Sequence, residues 1–378
     1  MPCYSRVKEF DRKHKGRIVD VLYEINEKAI KLENQGKKIV KLNLGDPDLE
    51  TPREIIEAAY EAMKKGKTKY SSAYGEKSLR EKIAEYHGVS ADNVVITPGS
   101  KWGVFAAMYL LLKNGGNVII PTPYWTAYEL TAKTLGAETR LVKTELASKW
   151  KIDFEALERL IDAQTRMIIL NNPNNPTSKV MDAEDMDRVV QIANERKITV
   201  LSDEVYADIS FVKTKSILDY EGNHVMISGF SKMFTMTGWR IGYVIAGKEL
   251  IDKIGKLNQI TITNVPVFIQ DAALTALGMH DKLTSEIKKV YQRRAKLASQ
   301  ILSEAKLEFT EPEAPFYVFP RRRGLDSERF ALELLDTGVA IAPGTSFGDY
   351  REHFRIALTV PDDELPVALN KICEATTK

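Results

Sequence analysis

The chain has 378 residues, with 54 Lys and Arg against 52 Asp and Glu, for a net charge of +2. That balance excludes a bulk electrostatic nucleic-acid binder, which carries a basic excess on one domain. The 44% hydrophobic content excludes a disordered chain, and the apolar runs fall short of the ~18–20 residues that span a bilayer.

Cys3 and Cys373 sit at opposite ends, with no disulfide framework and no zinc-ligand spacing. The N-terminal stretch lacks the apolar core of a signal peptide, so a reducing cytoplasm is the expected location. The length exceeds what one hydrophobic core serves, so two domains are expected. In chain order, an amphipathic helix is predicted over 17–35. Buried strands are read at 94–97, 117–120, 166–170, 198–202 and 224–228, with helices over 101–113, about 124–135 and 183–195. Another buried strand follows Arg240. A long charged helix is predicted over 280–306, then strand-like segments at 315–319, 338–342 and 353–358, and a closing helix at 363–375. Apolar runs of this kind suit strands buried on both faces. Strand–helix alternation predicts an α/β fold with a mostly parallel central sheet covered by helices on both sides. The expected division is a large domain over 45–280 and a small α+β domain built from 1–44 and 281–378.

Two familiar motifs are excluded. Gly66-Lys67-Thr68 lacks the glycine that a phosphate-binding P-loop places five positions before its Gly-Lys pair, and there is no Gly-x-Gly-x-x-Gly after a strand. The five histidines (14, 87, 224, 280 and 353) form no i, i+3 or i, i+4 pair, so no metal site is expected. The strongest signal is the segment 229–242, Gly-Phe-Ser-Lys-Met-Phe-Thr-Met-Thr-Gly-Trp-Arg-Ile-Gly. A lone lysine on a turn is ordinarily a surface residue. Here Lys232 follows a buried strand and Arg240, eight residues on, precedes another. Two cations converging between core strands are costly unless they meet an anion. A phosphate for Arg240 and an aldehyde carbon, with which Lys232 forms an imine, meet both needs.

This segment resembles the pyridoxal-phosphate attachment site of the class I/II aminotransferases of fold type I, with Thr235 where a smaller or aliphatic residue is commoner. Further markers follow the family's order. Ser202-Asp203-Glu204-Val205-Tyr206 ends a buried strand, where an open α/β sheet places its ligands. The resemblance implies that Asp203 pairs with the cofactor's pyridine nitrogen and that Tyr206 bonds the ring's phenolic oxygen. In Asn171-Asn172-Pro173-Asn174-Asn175-Pro176-Thr177, otherwise a turn-rich loop, Asn175 matches the residue facing the same oxygen, and a cis Asn175–Pro176 bond is expected. Ser178 stands where the family usually has Gly. Gly99, Ser100 and Lys101 match a helix N-terminus that holds the phosphate, and Trp125 matches the aromatic that stacks on the ring. Gly45, in Asn43-Leu44-Gly45-Asp46, matches a backbone that faces the substrate carboxylate. Arg355, alone in the apolar run 353–358, matches the α-carboxylate clamp. Tyr70 matches the tyrosine that reaches the neighbouring subunit's phosphate, which implies a homodimer with shared active sites.

The resemblance covers about 43–358 and implies transamination between an amino acid and a 2-oxo acid such as 2-oxoglutarate, with pyridoxal 5'-phosphate as cofactor and neither nucleic acid nor membrane as partner. It is closest to the bacterial and archaeal aspartate aminotransferases, where the residue at Lys101 can meet a distal carboxylate. Lys101 keeps two readings, that contact or a backbone and solvent role, and Trp102 departs from the subgroup's usual polar residue. Aspartate is the favoured donor. Aromatic or alanine donors, a carbon–sulfur lyase or cyclopropane-forming synthase of the same fold, and a non-enzymatic regulator are the alternatives.

Overall fold

The computed structural model describes residues 21–377; Cys3, His14 and the predicted start of the first helix at 17 lie outside them. A helix over Val21–Asn34 leads to a short strand β1 (Val40–Lys41), then the chain enters the main sheet. That sheet comprises β2 (Val94–Thr97), β3 (Asn117–Thr122), β4 (Glu138–Lys143), β5 (Thr165–Asn171), β6 (Thr199–Asp203), β7 (His224–Gly229) and β8 (Gly242–Ala246). Its order is β2-β8-β7-β6-β5-β3-β4. The pairs from β7 through β4 are parallel; β8 alone runs antiparallel to its neighbours β2 and β7.

The sheet is buried on both faces, as the unbroken apolar runs required. Met167 and Ile169 of β5 join one hydrophobic cluster, while Ile168 and Leu170 join the other. This is the two-residue alternation of a strand with a core on each side. The strand expected after Arg240 is β8. The edge strand β4 was not foreseen, because its Glu-Thr-Arg-Leu-Val-Lys sequence buries only Val142 and so carries no continuous apolar run.

The C-terminal third adds β9 (Tyr317–Val318), β10 (Val339–Ala340), β11 (Ala342–Pro343) and β12 (Phe354–Ala357). The single strand expected at 338–342 is therefore two. β10 pairs in parallel with β1, whereas β11 and β9 flank β12 antiparallel. The long helix is continuous over His280–Glu304 and buries Leu283, Ile287, Tyr291, Arg294, Ala298 and Leu302 on one stripe. Arg294 in that stripe is satisfied on every side. It donates to Asp48 (2.6 and 2.8 Å), to Asp362 (2.7 Å) and to the Leu358 carbonyl (3.0 Å). It thereby joins the segment after Gly45 to the segment after Arg355.

One backbone expectation is corrected. The cis peptide bonds of the described residues include Thr122–Pro123 and Asn172–Pro173, and the Asn175–Pro176 bond is trans. The reversal of this loop is carried by hydrogen bonds. Asn175 N–H donates to Asn171 Oδ1 (2.7 Å) and Ser178 N–H to the Asn174 carbonyl (2.8 Å).

Candidate active site

The residues gather where the parallel strands end. Asn171 closes β5 in register with Asp203, which closes β6; Asp203 is in turn level with Ile227 of β7, two residues before that strand ends at Gly229. The segments leaving these ends carry Asn175, Tyr206 and Lys232, while those leaving β2 and β3 carry Ser100 and Trp125. Because β8 is antiparallel, the loop after β7 returns to the same edge, and Gly229 pairs directly with Gly242. Arg240 is thus delivered beside the start of the Ser100–Leu112 helix. A Cβ built on Gly99 would stand 2.5 Å from Arg240 Nη2, and one on Gly242 would stand 2.5 Å from the Ser100 nitrogen. Glycine is what lets strand, helix start and guanidinium approach this closely.

A cavity of about 200 Å³ is lined by Gly45, Ser100, Trp125, Asn175, Asp203, Tyr206, Lys232 and Arg355, together with Tyr128 and Tyr317. Lys232 Nζ donates to the Gly45 carbonyl at 2.5 Å. Arg355 is buried. Its Nη1 donates to Asn175 Oδ1 at 2.8 Å and its Nη2 to the Asn43 carbonyl at 2.6 Å. The guanidinium also lies over the rings of Tyr317 and Phe347, 4.3 and 4.7 Å from their centroids. Two aromatic rings and two hydrogen bonds thus fix the plane of a fork suited to a carboxylate.

Asp203 is buried and accepts from Tyr128 Oη at 2.7 Å; its other oxygen has only a long 3.4 Å contact from the Val205 amide. Burial pushes its carboxyl up to about 6, opposed by the bonds from Tyr128 and Val205 and by the Lys232 ammonium. A protonated ring nitrogen would supply the strong donor that this second oxygen lacks among the described residues. Burial also raises the Tyr206 phenol, whose hydroxyl lies 3.0 Å from that of Tyr317. The neighbouring Glu204 is a separate matter. It faces away from the cavity, accepts from Ser216 Oγ and the Ile217 amide (2.7 and 2.8 Å), and burial pushes it up to about 7.

Lys101 and Tyr70, both named from the sequence, are not among the cavity lining. The Lys101 side chain stands outside the cavity, with Nζ 4.9 Å above the Trp125 ring and 3.4 Å from Tyr23 Oη. Tyr70 is 89% exposed and is not among the residues that line the cavity. Lining residues that went unread in the sequence include Leu22, Tyr23, Tyr128 and Tyr317. Tyr128, in the first turn of the helix that follows Trp125, meets the Trp125 ring edge-on with centroids 5.3 Å apart. Tyr317 sits in a two-residue strand whose apolar neighbours mark it only as core.

The donor set fits pyridoxal phosphate: a lysine amine, an unpaired-facing carboxylate oxygen, and a cradle of glycine, helix N-terminus and arginine for a phosphate. The comparisons agree. The family model for aminotransferase class I and II matches residues 37–372, and the chain belongs to this family of pyridoxal-phosphate-dependent transaminases. Among its relatives is an aspartate aminotransferase of Thermococcus kodakarensis, 38% identical over 326 residues, which are 86% of each chain. Another is a (5-formylfuran-3-yl)methyl phosphate transaminase of Methanocaldococcus jannaschii, 33% identical over 93% of this chain and 95% of that one. The crystal structure of an aspartate aminotransferase from Thermotoga maritima superposes with a TM-score of 0.90 at 31% identity, covering 95% of this chain and 98% of that chain.

Proposed function

We propose that this cavity transfers the amino group of an L-amino acid, aspartate being the favoured donor, to a 2-oxo acid such as 2-oxoglutarate, in two half-reactions. The observation that carries the reading is the convergence of Lys232 Nζ, the Asp203 carboxyl and the Arg355 fork on one cavity. When bound, pyridoxal phosphate supplies an aldehyde to capture the amine and a ring that accepts the electrons released at Cα. Gly99, Ser100, Lys101 through its backbone, and Arg240 are the phosphate ligands in this reading, with Trp125 against the ring face. Asp203 keeps the ring nitrogen protonated; Tyr206 and Asn175 serve the phenolic oxygen. Arg355, with the Gly45 backbone beside it, holds the substrate α-carboxylate and so sets the direction of the Cα–H bond. Lys232, with its amine free, would take the Cα proton on Nζ and deliver it to the cofactor's former aldehyde carbon, two bonds from Cα across the transferred nitrogen, acting as base and then acid.

The loaded protein should be yellow, and titration with amino donors against 2-oxoglutarate tests the reading. Bleaching by aspartate with formation of glutamate is the expected result. Ammonia and pyruvate released from a sulfur amino acid would instead identify a lyase. A second donor class is favoured by one observation. Leu22, Tyr23, Leu44 and Trp125 line the cavity while Lys101 stands outside it. That lining suits apolar or aromatic donors unless Lys101 turns inward. Loss of aspartate activity alone in Lys101→Ala would place the distal carboxylate on Lys101.

The exposure of Tyr70 supports a homodimer in which this phenol completes the phosphate site of the other copy. The pairing of β1 with β10 and the bond from Arg355 to the Asn43 carbonyl support a smaller unit assembled from residues 1–44 and 281–378, beside a larger one over 45–280. A cytoplasmic location accords with an enzyme of soluble amino and oxo acids; among the described residues, no helix is long and apolar enough to cross a membrane.

A further inference from the structure

Tyr317 touches three members of the site at once. Its hydroxyl lies 3.0 Å from that of Tyr206. Its ring lies 4.3 Å from the Arg355 guanidinium. It also fills the space beside Gly45, where an added Cβ would stand 1.8 Å from the Tyr317 oxygen; Gly45 is the carbonyl that receives Lys232. The backbone of Tyr317 is fixed by Ser178, which stands where the resemblance usually has Gly. Its N–H donates to Ser178 Oγ at 3.1 Å, and the Ser178 carbonyl accepts from the Glu313 amide at 3.0 Å. Ser178 is fully buried and sits at φ 53°, a left-handed conformation that favours the glycine usual at this place in the resemblance. A side chain kept at such a φ is strained unless its own contacts compensate. The hydroxyl contact to Tyr317 is the compensation in view.

We propose that Tyr317 is a positioning residue that couples the carboxylate fork of Arg355 to the phenol of Tyr206, and that the Ser178 hydroxyl locks it in place. The proposal rests on the transaminase reading above. Tyr206 has one proton to donate. With Tyr317 donating to the Tyr206 oxygen, that proton is directed at the cofactor's phenolic oxygen and its bond is polarised. The same ring holds the guanidinium plane by cation–π contact. One rigid side chain therefore carries the position of the bound carboxylate to the group that tunes the cofactor.

Three variants of the loaded protein separate the two arms: Tyr317→Phe, Tyr317→Leu and Ser178→Gly. Two quantities are read besides kcat and KM. One is the pH midpoint at which the long-wavelength absorbance of the lysine-linked cofactor titrates. The other is the dissociation constant of maleate, an unreactive dicarboxylate. Tyr317→Phe keeps the ring and loses the hydroxyl. Its absorbance midpoint should rise by about half a pH unit or more, because the anionic phenolic oxygen loses donor strength, while maleate affinity stays within about twofold. Tyr317→Leu should show the same rise and bind maleate roughly tenfold more weakly. Ser178→Gly frees the strand and should weaken maleate several-fold with the fold intact by thermal melting. An unmoved midpoint in Tyr317→Phe, or maleate bound equally by the Phe and Leu variants, overturns the coupling. Unchanged maleate affinity in Ser178→Gly overturns the lock. If Tyr317→Leu does not fold, the Phe and Ser178 variants decide the matter by themselves. A parent protein with no long-wavelength absorbance would sink the transaminase reading instead.

Discussion

Single residues in this site act through what burial denies them. Asp203 has a folded pKa of about 6, above its usual 3.8, so the folded protein holds that proton more tightly than the unfolded chain. The stabilisation is complete below about pH 3.8 and is lost as pH rises through about 6. In cofactor-free protein, the melting temperature of Asp203→Asn relative to the parent should therefore increase from pH 4 to pH 6 and stay level above. Tyr128 is the main hydrogen-bond donor opposing that rise. Tyr128→Phe should raise the Asp203 pKa further, which moves the acidic limb of the kcat/KM profile to higher pH. Lys232→Ala should abolish both turnover and the long-wavelength absorbance; full activity in that variant would refute the assignment of the amine. Lys232 and Arg355 were legible as single cations beside or within apolar runs, whereas Asp203, Tyr206 and Asn175, in strand-end and turn-rich segments, were legible only through the family resemblance. Tyr128 and Tyr317 were not. An aromatic side chain in an apolar neighbourhood reads as core, and only three-dimensional structure reveals where its hydroxyl points.

At the scale of elements, the buried strands of the main sheet were legible to within a residue or two, because parallel strands with a core on each face are written as unbroken apolar runs. β4 escaped for the converse reason, as an edge strand with one buried residue. The helix after β3 begins at Ala127 rather than near 124, since the Tyr124 amide bonds the Phe347 carbonyl at 3.2 Å instead of opening the helix. Contacts between elements are where substitutions should tell most. At Gly242, alanine would meet backbone atoms of residues 99 and 100 that cannot rotate away. Gly242→Ala should displace the helix start and weaken cofactor affinity by about tenfold or more, measured by titrating the stripped protein with pyridoxal phosphate. Arg294→Met would leave Asp48 partly buried without its partner, at a cost of about 3 kcal/mol, read by urea denaturation. Its KM for both donor and acceptor should rise as well, because the Gly45 and Arg355 segments lose their common tie.

For the whole molecule, the consequential residue is one whose side chain makes no hydrogen bond or ring contact among the described residues. Tyr70 is 89% exposed, and Tyr60 and Ile260 are also exposed large side chains. A homodimer covering this surface should elute at twice the chain mass. If Tyr70 serves the other copy, then mixing inactive Lys232→Ala with inactive or weakened Tyr70→Ala should restore activity, because a mixed dimer holds one site with both residues intact. Absence of complementation in dimers shown to exchange subunits would place Tyr70 outside the site. Sequence spacing alone could not decide this, since a residue's partner copy leaves no trace in the order of one chain.

The hairpin that carries Lys232 and Arg240 also constrains how the chain can vary. Its two ends are pinned to each other at Gly229 and Gly242 and to the helix start at Ser100, so the intervening segment behaves as a ruler of fixed length. Residue types along it can drift, as Thr235 has, but an insertion or deletion would slide the amine away from the anion it must work beside. Loops elsewhere on the surface tolerate length changes; here length itself is the conserved quantity to expect, and a library that randomises composition between Gly229 and Gly242 should retain far more active members than one that adds or removes a single residue.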